Sequence, residues 1–242
     1  MSDSVIEMTD IKKSFYVGMP NELQILHGIN ITIKKGEFVS IVGQSGSGKS
    51  TLMNLIGALD QPTSGSYKLD GEDISHLSDN ELSDIRNQKI GFVFQTFNLI
   101  PRSNALRNVE LPMLYNGITV KARIKRSKEL LALVEMDDRL THLPNELSGG
   151  RKQRVAIARA MANDPSIILA DEPTGSLDSK TGRLVMDIFH KLHRQEKKTI
   201  VLITHNQLLA NETERVLTLV DGRIVSEHCP EKVKAVEQEA GK

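Results

Sequence analysis

The stretch Gly43-Gln44-Ser45-Gly46-Ser47-Gly48-Lys49-Ser50-Thr51 decides the fold, because it fits the phosphate-loop pattern of a glycine, four residues and Gly-Lys-Ser/Thr. Glycines let the backbone turn tightly and point successive N–H groups at phosphate oxygens. The helix that follows presents its positive end to the same anion. Lys49 adds a mobile charge that reaches the outer phosphates, and the Ser50 hydroxyl can bind Mg²⁺. The stretch therefore predicts a nucleotide-phosphate site.

The residues on either side of this loop favour the same interpretation. Phe38–Val42 is typical of a buried strand, and residues 51–56 are typical of the start of a helix. A glycine-rich turn that matched the pattern by chance would need neither element. Strand, loop and helix together are the arrangement that this kind of phosphate binding requires.

The composition limits the classes of protein to which the chain can belong. Its 242 residues suit one large α/β domain or a core with a subdomain. The 31 Lys and Arg residues balance 31 Asp and Glu residues, and a neutral surface argues against a nucleic-acid partner. The single cysteine, Cys229, fits a reducing compartment. Because the sequence has neither a signal peptide nor an apolar run of about 20 residues, we expect a soluble intracellular protein.

Local patterns predict the remaining elements. Short alternating segments in residues 1–35 indicate an antiparallel β region, and residues 98–164 have a helical pattern. Ser78-Asp79-Asn80-Glu81 resembles a capping box that opens a helix, and Asp221-Gly222 is a hairpin turn signal. Beyond residue 164, strands and helices alternate, and one helix is expected to bury a single apolar side. The residues of that side are Leu184, Val185, Ile188, Phe189 and Leu192.

Strands that alternate with helices predict a parallel sheet covered on both faces. In such a sheet, ligands bind beyond the carboxyl ends of the strands. Polar residues follow four of the predicted strands, and a random scatter of polar residues would not favour one edge. They are residues 43–51, Gln95, Asp171 with Glu172, and His205. We therefore expect these residues to form one site.

The residue types at this edge suit the hydrolysis of a nucleotide. Asp171 ends an apolar strand and is the expected Mg²⁺ partner through bound water. Glu172 would act as general base on the attacking water. The Gln95 amide can face Mg²⁺, and His205 can donate a hydrogen bond to the terminal phosphate. The alternative is a pair of solvated carboxylates at a strand end and a structural histidine.

A second glycine-rich run is Leu147-Ser148-Gly149-Gly150-Arg151-Lys152-Gln153-Arg154. Ser148 can cap a helix that opens with Gly149 and Gly150, which gives a second positive helix end for an anion. Together with residues 155–160, this run resembles the signature motif of the ATP-binding-cassette (ABC) ATPases. The resemblance covers nearly the whole chain in the right order. Residues 43–51 match Walker A, Gln95 the Q-loop, residues 167–172 Walker B, residues 176–178 the D-loop and His205 the switch histidine.

The resemblance implies an α/β fold with a P-loop NTPase (RecA-like) core. This core would hold the parallel sheet, beside an N-terminal antiparallel β subdomain and an inserted α-helical subdomain. The whole chain, residues 1–242, would form one nucleotide-binding domain. Residues 1–95 and 161–228 would make up the β subdomain and core, residues 96–160 the helical signature subdomain, and residues 229–242 a charged tail.

The resemblance also implies ATP and Mg²⁺ as cofactors and a head-to-tail homodimer that encloses two ATP molecules. Ser148 and Gly150 of one copy would contact the γ-phosphate held by Lys49 of the other. The signature and D-loop residues of the ATP-binding set are Ser148, Gly149, Gly150 and Asp178. The family usually has Gln where this chain has Arg151, which leaves the contact at that position open.

Two aromatic residues, Phe15 and Tyr16, precede the first glycine turn of the chain. Either ring could stack on a nucleotide base, and ordinary packing within the β region is the alternative. The resemblance implies that adenine stacks on Phe15, where many relatives carry tyrosine.

Three segments point to the MacB/LolD/FtsE-type branch of the family: residues 57–65, 90–113 and 170–182. Members of this branch power permeases that act on periplasmic or outer-leaflet substrates such as peptides, lipoproteins or macrolides. No permease segment occurs in these 242 residues, so we expect a separate transmembrane permease that docks on the helical subdomain. The resemblance then implies a cytoplasmic ATPase, peripheral on the inner face of the cell membrane, with an extracytoplasmic adaptor as a further partner.

Two alternatives to transport stay open at this point. One is an FtsE-like regulatory ATPase that signals across the membrane without moving cargo. The other is a soluble ABC ATPase of DNA repair or translation. Such soluble relatives usually carry tandem cassettes, long coiled coils or zinc-binding insertions, and this neutral chain has none of them.

Overall fold

The computed structural model describes residues 3–230 and divides the chain into two compact units. The first unit is formed by the chain up to Ser83 together with the chain from Lys198 onward, and the second by residues 84–197. Most of the charged tail predicted at residues 229–242 lies outside the described residues.

The secondary structure alternates between strands and helices after an initial β region. The elements in chain order are β1 (Ser4–Phe15), β2 (Leu23–Lys34), β3 (Phe38–Val42), α1 (Lys49–Ile56), β4 (Ser64–Leu69), β5 (Glu72–Asp73), α2 (Asp79–Lys89), β6 (Ile90–Phe94), α3 (Ala105–Tyr115), α4 (Val120–Leu133), α5 (Gly149–Ala160), β7 (Ile167–Asp171), α6 (Ser179–Glu196), β8 (Thr199–Thr204), α7 (Gln207–Ala210), β9 (Arg215–Val220) and β10 (Arg223–His228). Short 3₁₀ turns lie at Asp137–Arg139 and Pro144–Glu146. No helix within residues 3–230 is long and apolar enough to cross a membrane.

The first unit contains an antiparallel sheet with strand order β2-β1-β4-β5. This sheet confirms the antiparallel β region predicted from the alternating segments near the N-terminus. Its β4 strand carries Tyr67, which is buried and whose hydroxyl donates a hydrogen bond of 2.7 Å to the carbonyl of Ile56, the last residue of α1. Burial raises the pKa of the Tyr67 hydroxyl, so it stays protonated and able to donate. The sheet is thereby attached to the end of the helix that follows the phosphate loop.

The first unit also contains the parallel strands that lead to the phosphate loop. Strand β3 pairs in parallel with β8 on one side and with β9 on the other. All five residues of β3 are buried, which agrees with an apolar strand covered on both faces. Strand β10 returns antiparallel to β9 through Asp221 and Gly222, with φ angles of 44° and 69°. Two successive residues with positive φ are what a type I′ hairpin turn requires, so the predicted turn is confirmed.

The second unit combines two parallel strands with the helical part of the chain. Strands β6 and β7 pair in parallel from Ile90 opposite Ile167 to Phe94 opposite Asp171. Helices α3, α4 and α5 pack on one another, and α5 also packs on β6 and α6. This arrangement confirms the helical pattern predicted for residues 98–164. Gly91 of β6 approaches the carbonyl of Ala160 so closely that a Cβ atom would have no room.

The predicted capping box opens α2. The carboxylate of Glu81 accepts hydrogen bonds from both the backbone N–H and the hydroxyl of Ser78, at 2.8 and 2.7 Å. The hydroxyl of Ser78 in turn accepts from the Glu81 N–H at 3.4 Å. These bonds hold the pKa of the Glu81 carboxyl below its usual range, because Ser78 donates to the charged form.

The apolar side predicted for α6 is correct except at one position. Val185, Ile188 and Leu192 are buried, as is Phe189, but Leu184 is 43% exposed. Successive helix residues lie about 100° apart, which puts Leu184 at one margin of the apolar face and Met186 at the other. Met186 is fully buried, so the neighbouring elements cover that margin and leave Leu184 in solvent.

We expect Tyr67→Phe to lower the free energy of unfolding by about 1–3 kcal/mol, because it removes a buried donor from the Ile56 carbonyl. Urea unfolding followed by circular dichroism measures this loss. Tyr115→Phe is the matched control, since Tyr115 is 77% exposed and should tolerate the same change. Equal stability of Tyr67→Phe and the wild type would contradict the assigned bond.

Candidate nucleotide-binding site

The phosphate loop lies between β3 and α1 in the first unit. Its glycines take backbone conformations that other residues rarely adopt: Gly46 has a φ of 81°, and Gly48, the residue that caps α1, has a φ of 98°. Only glycine populates this left-handed region without a steric cost. The loop therefore turns in the way that the sequence pattern predicted, and α1 points its N-terminal N–H groups towards it.

Close packing fixes the first part of the loop. A Cβ atom on Gly43 would collide with the carbonyl of Leu219 and with the Oγ atom of Ser47. The backbone carbonyl of Ser47 accepts a hydrogen bond of 3.0 Å from the N–H of Gly222, in the turn between β9 and β10. The Ser47 N–H donates to the carbonyl of Gln44 at 3.2 Å. The hairpin turn thus supports the phosphate loop from behind.

Lys49 lies across this loop. Its Nζ atom donates hydrogen bonds to the carbonyls of Gly43 and Gln44, at 2.7 and 2.8 Å. The charge is therefore held where the loop and the helix end would receive phosphate oxygens. Ser50 follows in the first turn of α1, and its side chain is exposed.

The structure brings His205 to the phosphate loop, as expected from its place after a neighbouring strand. Val42 and Thr204 are paired in register at the ends of β3 and β8, so the residues that follow them share one edge. His205 lines a cavity of about 520 Å³ together with Gly43 and Gln44. The other lining residues are Val42, Ser45, Ser47, Gln207, Thr218, Leu219, Val220 and Asp221. This volume lies within the range of small-molecule sites, about 300–1,000 Å³.

The two aromatic residues near the N-terminus are not core residues. Phe15, the last residue of β1, is 38% exposed, and Tyr16 is 59% exposed with a φ of 57°. The Nζ atom of Lys13 lies 5.3 Å from the centre of the Phe15 ring. Their exposure leaves both rings accessible to a base and argues against ordinary core packing.

The second unit holds Asp171, the predicted Mg²⁺ partner, Glu172, the predicted general base, and the Q-loop glutamine. Phe94 pairs with Asp171, so Gln95 and Glu172 follow at the same edge of β6 and β7. A Cβ atom on Gly175 would lie 2.9 Å from Nε2 of Gln95 and 3.4 Å from the carbonyl of Glu172. Gln95, Asp171 and Glu172 are thus brought together within this unit.

The signature helix α5 begins as predicted, but one detail was wrong. Ser148 is the N-cap residue, yet its side chain makes no capping hydrogen bond within the described chain and is exposed instead. The first turn of α5 contains no acidic residue. A Cβ atom on Gly150 would collide with the side chain of Thr181, and one on Gly149 would lie 3.1 Å from Leu177. The glycines therefore allow α5 to pack on the start of α6, and the Ser148 hydroxyl faces solvent at a positive helix end.

Asp178 caps the next helix. Its carboxylate accepts a hydrogen bond of 3.0 Å from the N–H of Thr181, in the first turn of α6. Bonds from the hydroxyl and the N–H of Thr181 hold the pKa of Asp178 below its usual range. A contact between Asp178 and a nucleotide stays a prediction, because its observed role is to start α6.

Sequence reasoning missed two residues of α5 that contact this region. Gln153 is fully buried and donates from Nε2 to the carbonyls of Phe94 and Pro173. Arg159 donates to the carbonyls of Phe97 and Asn98, and burial lowers the pKa of its guanidinium. Helical spacing was the available signal for Gln153. It shares a face with Gly150 and Ile157, which are both buried.

The side chains of Ser50, Gln95 and Asp171 offer a hydroxyl, an amide oxygen and a carboxylate. Each of these groups, Ser50 in the first unit and Gln95 and Asp171 in the second, is a hard oxygen donor of the kind that Mg²⁺ binds. Within residues 3–230, no group of three or more His, Cys, Asp and Glu side chains could hold a metal ion. A protein-only metal cage is therefore not found in the described chain.

Comparison with known proteins gives consistent matches. Residues 26–175 match the family model described as "ABC transporter". The chain is 55% identical over 221 residues to the uncharacterized ABC transporter ATP-binding protein YknY of Bacillus subtilis, a match that covers 91% of this chain and 95% of YknY. It is 48% identical over 233 residues to the macrolide export ATP-binding/permease protein MacB of Brucella melitensis, covering 94% of this chain and 36% of MacB.

A solved structure agrees with the fold. The dimeric post-hydrolysis structure of the ATP-binding cassette MJ0796 of Methanocaldococcus jannaschii, bound to ADP and Pi, superposes with a TM-score of 0.83. It shares 46% sequence identity and covers 93% of this chain and 98% of MJ0796. The expected α/β fold with a P-loop NTPase core is therefore confirmed.

We expect Gly43→Ala to weaken ATP binding about tenfold or more, equivalent to about 1.4 kcal/mol, because the new Cβ displaces Ser47 or the β9 carbonyl behind the loop. Titration with a fluorescent ATP analogue measures the affinity. Gly117→Ala is the control, because a Cβ atom at Gly117 would meet open space, although its φ of 70° adds backbone strain that Gly43 does not have. Unchanged ATP affinity in Gly43→Ala would contradict the role given to this packing.

Proposed function

Since the chain belongs to the ABC transporter family, as an ATP-binding subunit and an ATPase, we propose that it acts as a homodimer that closes on two Mg·ATP. ATP hydrolysis would drive a separate transmembrane permease. Two observations support the proposal. Lys49 lies across the phosphate loop, and His205 lines the cavity that residues of this loop also line. These groups bind a terminal phosphate and direct a hydrogen bond at it.

The residues of the chain divide the work of hydrolysis. Loop N–H groups and Lys49 bind the β- and γ-phosphates, and His205 donates to the γ-phosphate. Glu172 accepts a proton from water while the water oxygen bonds to the γ-phosphorus. The bond between the γ-phosphorus and the β,γ-bridging oxygen breaks, which leaves ADP and phosphate. Ser50, Gln95 and Asp171 would hold Mg²⁺, which neutralises charge on the phosphates. Adenine would stack on Phe15.

A homodimer is supported by the start of α5. The exposed Ser148 hydroxyl and the acid-free first turn form a positive helix end that suits a phosphate from a second copy. The MJ0796 cassette, with 46% identity, is dimeric with ADP and Pi bound. We therefore propose that Ser148, Gly149 and Gly150 of one copy complete the pocket built on Lys49 of the other.

The membrane partner is proposed from the relatives and from the helical part of the chain. MacB, whose name includes a permease, contains a segment similar to this chain over 36% of its length. Large apolar side chains are exposed at the end of α3, in the turn that follows it and at the start of α4, and we propose this segment as the permease dock. They are Leu114, Tyr115, Ile118 and Val120. The ATPase would then sit on the inner face of the membrane and power export of peptides, lipoproteins or antibiotics, with an extracytoplasmic adaptor.

Glu172→Gln tests the chemical step. We expect kcat for ATP to fall about 10²- to 10⁴-fold, since the general base is lost, while ATP still binds and the protein accumulates as a dimer. Phosphate release and size-exclusion chromatography with saturating Mg·ATP measure the two effects. Glu135→Gln is the matched control, because Glu135 is also a glutamate with positive φ but its carboxylate bonds Arg154. A monomeric Glu172→Gln protein would count against ATP-driven closure.

Mixing two inactive variants tests the shared pocket. Lys49→Ala removes phosphate binding, Ser148→Arg blocks the helix end, and each variant alone should hydrolyse little ATP. In an equal mixture, half of the dimers are mixed and have one intact pocket, so up to about a quarter of the wild-type rate should return. Ser83→Arg, at an exposed serine of α2, should keep full activity. Full activity of Ser148→Arg would refute the shared pocket.

A further inference from the structure

We propose that Gln153 is a positioning residue for ATP hydrolysis. It ties helix α5 to the two strand ends that carry Gln95 and Glu172, and thereby holds Glu172 in its working position. The inference rests on the proposed role of Glu172 as general base. Gln153 itself touches neither nucleotide nor water in this scheme and acts only through the backbone of its neighbours.

The contacts of Gln153 join three elements of the second unit. Its Nε2 atom donates a hydrogen bond of 3.2 Å to the carbonyl of Phe94 and one of 2.6 Å to the carbonyl of Pro173. Phe94 directly precedes Gln95, and Pro173 directly follows Glu172. Since both acceptors are carbonyl oxygens, only the amide NH₂ group can bond them together, and this fixes the orientation of the side chain.

The amide oxygen of Gln153 indicates that this side chain does more than fill space in the core. The Oε1 atom of Gln153 is buried and has no hydrogen-bond partner within residues 3–230. An unpaired buried acceptor is unfavourable, whereas an apolar side chain of the same length would fill the space without this cost. The amide is therefore suited to its two donor bonds and poorly suited to general core packing.

The backbone that Gln153 holds is under strain. Glu172 has a φ of 44°, a left-handed conformation that disfavours residues with a Cβ atom. Its carbonyl accepts a hydrogen bond of 2.9 Å from the N–H of Gly175, which closes a turn with Pro173 inside it. A strained turn persists only when its surroundings determine it. The bond from Gln153 to the Pro173 carbonyl supplies such a constraint from outside the turn.

A second residue of α5 holds the far side of the Q-loop. Arg159 donates to the carbonyls of Phe97 and Asn98 at 3.0 and 2.5 Å, and both of these residues also have positive φ. Helix α5 thus bonds the backbone on both sides of Gln95: Gln153 bonds the residue before it, and Arg159 bonds residues after it. The hydroxyl of Ser176 closes the same network with a 2.9 Å bond to the Gln95 carbonyl. If α5 moved, these bonds would shift the backbone at Gln95 and in the Glu172 turn together.

Gln153→Met tests the inference, with Gln153→Glu as a second variant that keeps length and polarity but loses both donors. We expect kcat for ATP to fall about 10- to 100-fold, because misplacement of a catalytic group by about 1 Å has an effect of this size. The affinity for Mg·ATP should stay within about twofold, since no phosphate contact is lost. Steady-state phosphate release and titration with a fluorescent ATP analogue separate the two quantities.

Asn163→Leu is the matched control for the loss of an amide that bridges elements, at a half-buried position. Its Nδ2 atom also bridges separate elements of the second unit, with bonds to Asn87 and to the carbonyl of Pro112, but none of these residues adjoins a catalytic position. Both variants should lose stability in thermal unfolding, and only the Gln153 variants should lose kcat. A kcat within twofold of the wild type in a folded Gln153 variant would overturn the inference.

Combination with Glu172→Gln decides whether Gln153 acts through the base. If it does, Gln153→Met should reduce kcat far less in the Glu172→Gln background than in the wild type. Fully multiplicative effects would overturn the inference while leaving the proposed function intact. Wild-type kcat in Glu172→Gln alone would instead overturn the proposed function, whatever the Gln153 variants show.

Discussion

Parallel strands that are buried on both faces can place polar chemistry only at their ends, and the candidate site depends on this constraint. β3 is buried throughout, β8 likewise, and β7 except at Asp171. The residues that follow these strands are Gly43, Glu172 and His205. Because apolar residues determine where each strand ends, the same sequence pattern that builds the core also positions the groups that we propose as catalytic.

Much of the fold and the placement of the phosphate loop could be predicted because their signals are local. The glycine spacing of the phosphate loop, the capping box at Ser78 and the turn at Asp221 each depend on residues a few positions apart. The register of β3 with β8 then brings His205 to the loop, as the strand pattern implied. The ends of short apolar strands such as β3 and β8 could therefore be predicted from the sequence.

The contacts that could not be predicted connect residues far apart in the chain. Gln153 bonds carbonyls 59 and 20 positions away, and no local pattern specifies a carbonyl as partner. Ser148 fits the pattern of a helix cap, yet its side chain makes no capping bond in the described chain, since the rule describes a preference and not a contact. The exposure of Leu184 could not be predicted either, because neighbouring elements determine which margin of the apolar face of α6 is covered.

Helix α5 connects these contacts to the proposed dimer. A helix rises about 1.5 Å per residue, so the 12 residues of α5 extend over about 18 Å. Its first residues would contact the second copy in the proposed dimer, while Gln153 and Arg159 bond the backbone around Gln95 and Glu172. The turns at Phe97 and Glu172 both have positive φ, a strained conformation that the surrounding contacts must hold in place. The bonds of Gln153 and Arg159 would therefore connect the proposed dimer contact at the tip of α5 with the proposed base, without any direct contact between the two.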